Sequence, residues 1–252
     1  MAIHGSTGGV NLHRFFVAAG SLQADRVSFS SAQAHQIRNV LRLRPGDRVV
    51  VLDGTGAELL VRLDTLHDGS AGTVEERSHN QAEPQVNVVL YQGLLKAAKF
   101  ELVLQKCTEI GVSSFVPIIT GRSVPSEPSP GRQRRFETVV REAAEQSRRG
   151  CLPEVSAAVP YGKALAEAAS AGGVAVLWED ERTVRLRDIS LAVPGAQVGL
   201  FVGPEGGLTP QEVALARDTG ASVVSLGKRI LRAETAAIVG SALLLAQSGA
   251  LG

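Results

Sequence analysis

Apolar positions fall into two regimes along the chain. Before about residue 80 they form short runs, His13–Val17, Val49–Leu52 and the returning Glu58–Leu63. These are separated by Arg44-Pro45-Gly46-Asp47 and by the tight connection Asp53-Gly54-Thr55-Gly56, the pattern of a small, mostly β unit. A further strand around Ser70–Glu76 fits the same unit. Ser30 or Ser31 is placed to cap one helix running to about Leu41, with Ile37, Val40 and Leu41 on its apolar side. His35, Arg38 and Arg42 fall on the opposite face, which is either a solvated surface or a phosphate contact. The polar, proline-terminated stretch Ser78–Pro84 lacks periodicity, so a domain boundary is expected there, between 1–81 and 82–252. Residues 1–12 read as a loose tail.

From Val86 onward, strand-length apolar runs alternate with stretches of helical period. The runs are Val86–Gln92, Ser114–Ile119, Gly173–Glu179, Val198–Val202 and Ser222–Leu226. Between the first two, Ala97–Ile110 places Phe100, Val103, Leu104 and Cys107 on one face, and Gly111 stands where a helix ends in the left-handed region. Gly131–Arg149 is a helix burying Phe136, Val139, Val140, Ala143 and Ala144. Its Arg132, Arg134, Arg135, Arg141, Arg148 and Arg149 gather toward its ends, as on a surface facing RNA or simply on a solvated face. Alternation of this kind predicts an α/β fold with a parallel sheet.

Two strands empty into glycine loops. Val198–Val202 leads to Gly203-Pro204-Glu205-Gly206-Gly207, followed by Thr209 as N-cap, Pro210 at the first helical position and Glu212 in the first turn. Ser222–Leu226 leads to Gly227 and then to Lys228–Thr235, which carries Arg229, Arg232 and Glu234. Open α/β sheets bind ligands outside the carboxyl ends of their strands, so the paired loops mark a candidate site. Neither the GxxxxGK[ST] phosphate loop nor GxGxxG is present.

Composition narrows this picture in three ways. The net charge is only +1, so a nucleic-acid surface must come from local clustering, and arginine supplies 21 of the 26 basic residues. Cys107 and Cys151 form neither metal spacing nor a disulfide framework, as in a reducing cytoplasm, and the five histidines are scattered, so no metal is expected. After Glu234 no side chain is charged, yet Ala236–Leu251 is short for a membrane span and broken by Gly240, Gln247, Ser248 and Gly249. It predicts a helix buried on all sides by its own domain or by a partner subunit, with no membrane association.

Taken together, several motifs carry a resemblance. They are Val202-Gly-Pro-Glu-Gly-Gly-Leu208, Leu226-Gly227, Ile230-Leu-Arg-Ala-Glu-Thr-Ala236, Lys106 with Glu109-Ile-Gly-Val112, Glu145-Gln146, and Arg38-Asn-Val-Leu-Arg42 before Pro45-Gly46. In these the chain resembles the RsmE family of SPOUT-class methyltransferases, which methylate a uridine of 16S ribosomal RNA at ring nitrogen 3. Lys228 departs from the family's pattern, which often has proline there, and the first twelve residues match nothing in it. The resemblance implies an amino-terminal PUA-like RNA-binding domain and a SPOUT domain whose deep trefoil knot binds S-adenosylmethionine. It also implies a homodimer, with the uncharged last helix in the interface, acting on the small ribosomal subunit. It places the cofactor against Val202, Gly203, Pro204, Glu205, Gly206, Leu226, Gly227, Ile230, Leu231, Arg232 and Thr235.

Uracil nitrogen 3 carries a proton and is poorly nucleophilic until it is lost, so catalysis needs a proton acceptor and a donor to the developing charge. Arg232 suits the second task because it donates two hydrogen bonds without titrating. Glu234 or Glu205 can serve the first, or either can hold a loop or an arginine in place. Arg14, Arg38, Arg42, Gln146 and Arg148 are candidates for RNA phosphates or a flipped base. The rival reading is a non-catalytic RNA-binding or assembly factor on the same fold.

Overall fold

The computed structural model describes residues 12–66, 70–123, 128–191 and 193–251. The tail expected at residues 1–12 therefore lies, Leu12 apart, outside the described residues. The chain divides into two compact units: the residues up to Glu83 together with Ala144–Leu152, and Pro84–Ala143 together with the residues from Pro153 onward.

In the first unit six strands form one sheet. They are β1 (Arg14–Phe16), β2 (Leu22–Gln23), β3 (Arg26–Ser28), β4 (Arg48–Leu52), β5 (Ala57–Thr65) and β6 (Ala71–His79), in the order β1-β4-β5-β6-β3-β2. Only β1 and β4 pair in parallel. Alternate residues of β5, namely Leu59, Val61 and Leu63, meet Phe15, Val27, Val49 and Val51 in one core, the period-two pattern of a half-buried strand. Gly46, at φ +95°, makes the turn between Arg44 and Asp47.

The helix of this unit departs from expectation. Ser30 caps α1 (Ser31–His35) in a capping box with Gln33, but Gln36–Val40 then widens into a π-helix in which Leu41 N–H donates to Gln36 O at 2.9 Å. Each π turn takes in more residues, so Ile37 stays buried while Val40 swings out to 64% exposure. Arg42 leaves the helix at φ +55°. His35, Arg38 and Arg42 thus do not share the helical face that α spacing predicts.

The second unit is built on seven strands, all parallel: β7 (Asn87–Gly93), β8 (Ser114–Ile119), β9 (Glu154–Val155), β10 (Val159–Pro160), β11 (Gly173–Leu177), β12 (Gln197–Val202) and β13 (Ser222–Val224). The order is β10-β8-β7-β12-β11-β13, with β9 beside β8. The parallel sheet agrees with the alternation seen in the sequence. The helices are α2 (Ala97–Ile110), α3 (Pro130–Gln146), α4 (Tyr161–Ala171), α5 (Pro210–Asp218) and α6 (Ala233–Gln247). Gly111 closes α2 at φ +111°, as expected.

One expectation about helices is corrected, and a second is met on one side by the helix's own unit. α3 stops at Gln146; Arg148 adopts φ +63°, and Arg149 turns inward to 4% exposure, where its Nη2 lies 2.8 Å from Glu83 Oε2. Arg149 is thus part of a buried ion pair and not of a basic surface. Helix α6 buries Ala237, Gly240, Ser241, Leu244 and Leu245 but leaves Val239 and Leu243 more than a third exposed, so its own unit covers one side only. Among the described residues no helix is long and apolar enough to cross a membrane.

Candidate active site

Strands β12, β11 and β13 are neighbours, and their carboxyl ends open onto a cavity of about 280 Å³. Trp178 and Glu179 follow β11, Val202 ends β12 with Gly203–Glu205 and Gly207 after it, and Ser225–Gly227 with Arg229–Glu234 follow β13. The volume is near the lower end of the range for small-molecule sites.

Loop 203–207 is held from three sides. A Cβ on Gly93 would lie 2.5 Å from Pro204 N, so only glycine lets the end of β7 press against the loop. The buried Gln92 amide donates to Gly203 O at 3.2 Å, and Arg122 Nη1 donates to Gly206 O at 2.9 Å and Leu208 O at 3.3 Å. Beyond it, Thr209 caps α5 in a capping box with Glu212, whose other oxygen accepts from Gly121 N–H. At Gly207, φ +69°, a Cβ would run into the Glu179 carboxylate. The second loop turns at Gly227, φ +123°, and ends with Arg232 as N-cap and Glu234 in the first turn of α6.

A cluster of charges occupies one wall. Lys99, in the first turn of α2, lies 3.3 Å from Glu205 Oε1 and 3.8 Å from Glu234 Oε2. Burial pushes the Glu205 carboxyl up, but its own N–H, Lys99 and the Lys96 N–H outweigh this and hold it below the usual 4.5. Glu234 is 8% exposed, and its Oε2 has no hydrogen-bond partner among the described residues. Behind the cavity lining, Glu181 holds the segment after Trp178 and Glu179. Hydrogen bonds from the Thr183 hydroxyl and the N–H groups of Thr183, Val184 and Arg182 hold its carboxyl at about 2. Arg217 pairs with Glu181 at 3.0 Å and lies 5.5 Å from the centre of the Trp178 ring.

Of the residues expected to hold a ligand, Val202, Gly203, Pro204, Glu205, Leu226, Gly227, Ile230, Leu231 and Arg232 line this cavity, and Glu234 joins them. Gly206 does not: a Cβ there would face Arg122, and Thr235 is exposed outside the cavity. Lys99, Trp178 and Glu179 were not anticipated. The strand-end rule, applied to the strand beginning at Gly173, points to the last two. Nothing local singles out Lys99.

The candidate RNA residues all belong to the first unit. Arg14 forms an ion pair with Glu58, and its side chain is only 13% exposed. Arg38 donates to Leu66 O at 3.3 Å while remaining exposed. Arg42, Gln146 and Arg148 are exposed.

A cavity walled by glycine backbone, with carboxylates and cations side by side on its lining, fits a small ligand that carries both polar and charged groups. A parallel α/β unit with such a site, preceded by a mostly β unit, defines a class: residues 82–245 match the model of an RNA methyltransferase domain, and residues 29–64 that of an RNA methyltransferase PUA domain. The ribosomal RNA small subunit methyltransferase E of Synechocystis is 38% identical over 244 residues, covering 96% of this chain and 78% of that protein. Its Bacillus subtilis counterpart is 29% identical, with 89% and 93% covered. A crystal structure of the Neisseria gonorrhoeae methyltransferase E bound to S-adenosyl methionine matches with a TM-score of 0.86 at 30% identity, covering 94% of this chain and 98% of that one. The chain belongs to the ribosomal RNA small subunit methyltransferase E (RsmE) family, as its motifs implied.

Proposed function

We propose that this protein transfers a methyl group from S-adenosylmethionine to nitrogen 3 of a uridine in 16S ribosomal RNA of the small subunit. The observation that carries the reading is the cavity at the ends of β11, β12 and β13, which ten of the anticipated residues line together. When bound, the cofactor supplies a methyl group on a positively charged sulfur. The glycine loops shape its cradle, in the threaded arrangement the family implies.

Arg232, at the mouth of α6, stabilises negative charge on the uracil carbonyls as the ring proton is lost. Glu234 accepts that proton in preference to Glu205. Glu205 is held by Lys99 at 3.3 Å and accepts from the Lys96 N–H, whereas Glu234 lies farther from the same ammonium, at 3.8 Å, and its Oε2 accepts no hydrogen bond among the described residues. Arg38 and Arg42 of the PUA-like domain, with Gln146 and Arg148 of the same compact unit, meet RNA, while Arg14 acts through Glu58. Exposed Val239 and Leu243 on α6, with Leu102 on α2, favour a homodimer, and the free thiols fit a cytoplasmic protein.

The test is transfer from labelled S-adenosylmethionine to small subunits that lack the modification, with nucleoside mass spectrometry of the product. The expected product is 3-methyluridine. Arg232→Ala and Glu234→Gln should each lower kcat by roughly 100-fold or more, and Glu205→Gln by much less. A different methylated nucleoside would overturn the choice of base.

A further inference from the structure

Lys99 is the one residue of α2 that reaches the cavity, and it touches carboxylates from two other elements: Glu205 on the loop after β12 and Glu234 on α6. The ionisable groups on the wall balance. Lys99, Arg229 and Arg232 stand against Glu179, Glu205 and Glu234. Removing Lys99 leaves the wall with one net negative charge and takes the cation from between Glu205 and Glu234.

Resting on the cofactor reading above, we propose that Lys99 sets the charge of the cavity so that it does not over-stabilise the cationic methyl donor relative to its neutral thioether product. The two ligands differ by one methyl group and one positive charge. Lys99 lines the cavity, so its ammonium acts on the charge of any ligand bound there. That ammonium raises the free energy of a sulfonium and leaves a thioether nearly untouched. Positive charge disappears from sulfur during transfer. Energy held in the bound donor is therefore released on the way to the transition state, which speeds the step instead of tightening the ground state. Lys99 does this without contacting the reacting atoms, through its hold on Glu205 and Glu234 and through its own field.

The experiment is calorimetric titration of the full chain with S-adenosylmethionine and, separately, S-adenosylhomocysteine. Wild type is compared with Lys99→Met and Lys99→Arg. In Lys99→Met the preference for the sulfonium over the thioether should rise on the order of 5- to 10-fold, while Lys99→Arg stays within about 2-fold of wild type. If Lys99→Met does not fold, Lys99→Gln, which keeps a hydrogen-bond donor but not the charge, serves in its place and should give the same rise. Equal weakening of both ligands, or an unchanged ratio, would mean that Lys99 is only a brace and would overturn the proposal. Wild type that binds neither ligand would instead sink the cofactor reading beneath it, so the two failures are distinguishable.

Discussion

At the scale of single residues, position in the cavity and charge state decide function. Glu205 and Glu234 look equivalent in sequence, each one charge beside a glycine loop. The fold separates them by setting Lys99 closer to Glu205, which also accepts from two N–H groups, than to Glu234, whose Oε2 accepts no hydrogen bond among the described residues. Lys99 was illegible because it is one lysine in the first turn of an amphipathic helix. Its meaning depends on two segments more than a hundred residues away in the chain. Glu181 permits a test by pH. Its carboxyl is held at about 2 in the folded protein against an ordinary 4.5, so its contribution is fully present above 4.5 and is lost as pH falls toward 2. Glu181→Gln should cost about 1–2 kcal/mol near neutral pH, less than the full shift implies because solvent screens part of it. Urea melts should show that deficit closing as the pH is lowered from about 6 to about 2.5.

Elements were legible where a local signal fixes them and misread where a wider turn or an inward side chain intervenes. Ser30, Thr209 and Gly111 act as the caps their residue types announce, because capping is a contact within one turn. The π-helix at Gln36–Val40 breaks the α periodicity on which any reading of faces rests. The end of α3 was misjudged for another reason: Arg149 looks like a surface residue until Glu83 is seen beside it. The end of β7 gives the prediction proper to this scale. Gly93→Ala should force loop 203–207 away from the sheet, since the new methyl would stand 2.5 Å from Pro204 N. Affinity for S-adenosylmethionine should fall roughly 10-fold, with a stability loss of about 1–3 kcal/mol, readable by titration and thermal melts.

For the whole molecule, alternation of strand and helix announced the parallel sheet, and the glycine loops announced which end of it carries the cavity. The assignment of Ala144–Leu152 to the first unit could not be read locally, since nothing in those residues names Asn80 and Glu83 as their partners. The knot rests on family resemblance alone, because threading is a property of the whole path and leaves no mark in any one segment. Composition carries one last consequence. The chain has a single tryptophan, and Trp178 stands on the wall of the cavity with a guanidinium over its ring. All of the protein's indole fluorescence therefore originates at the candidate site. Adding S-adenosylmethionine should change the emission intensity saturably, and Trp178→Phe should abolish the signal while calorimetry still registers binding. An emission spectrum indifferent to saturating cofactor would place the ligand elsewhere.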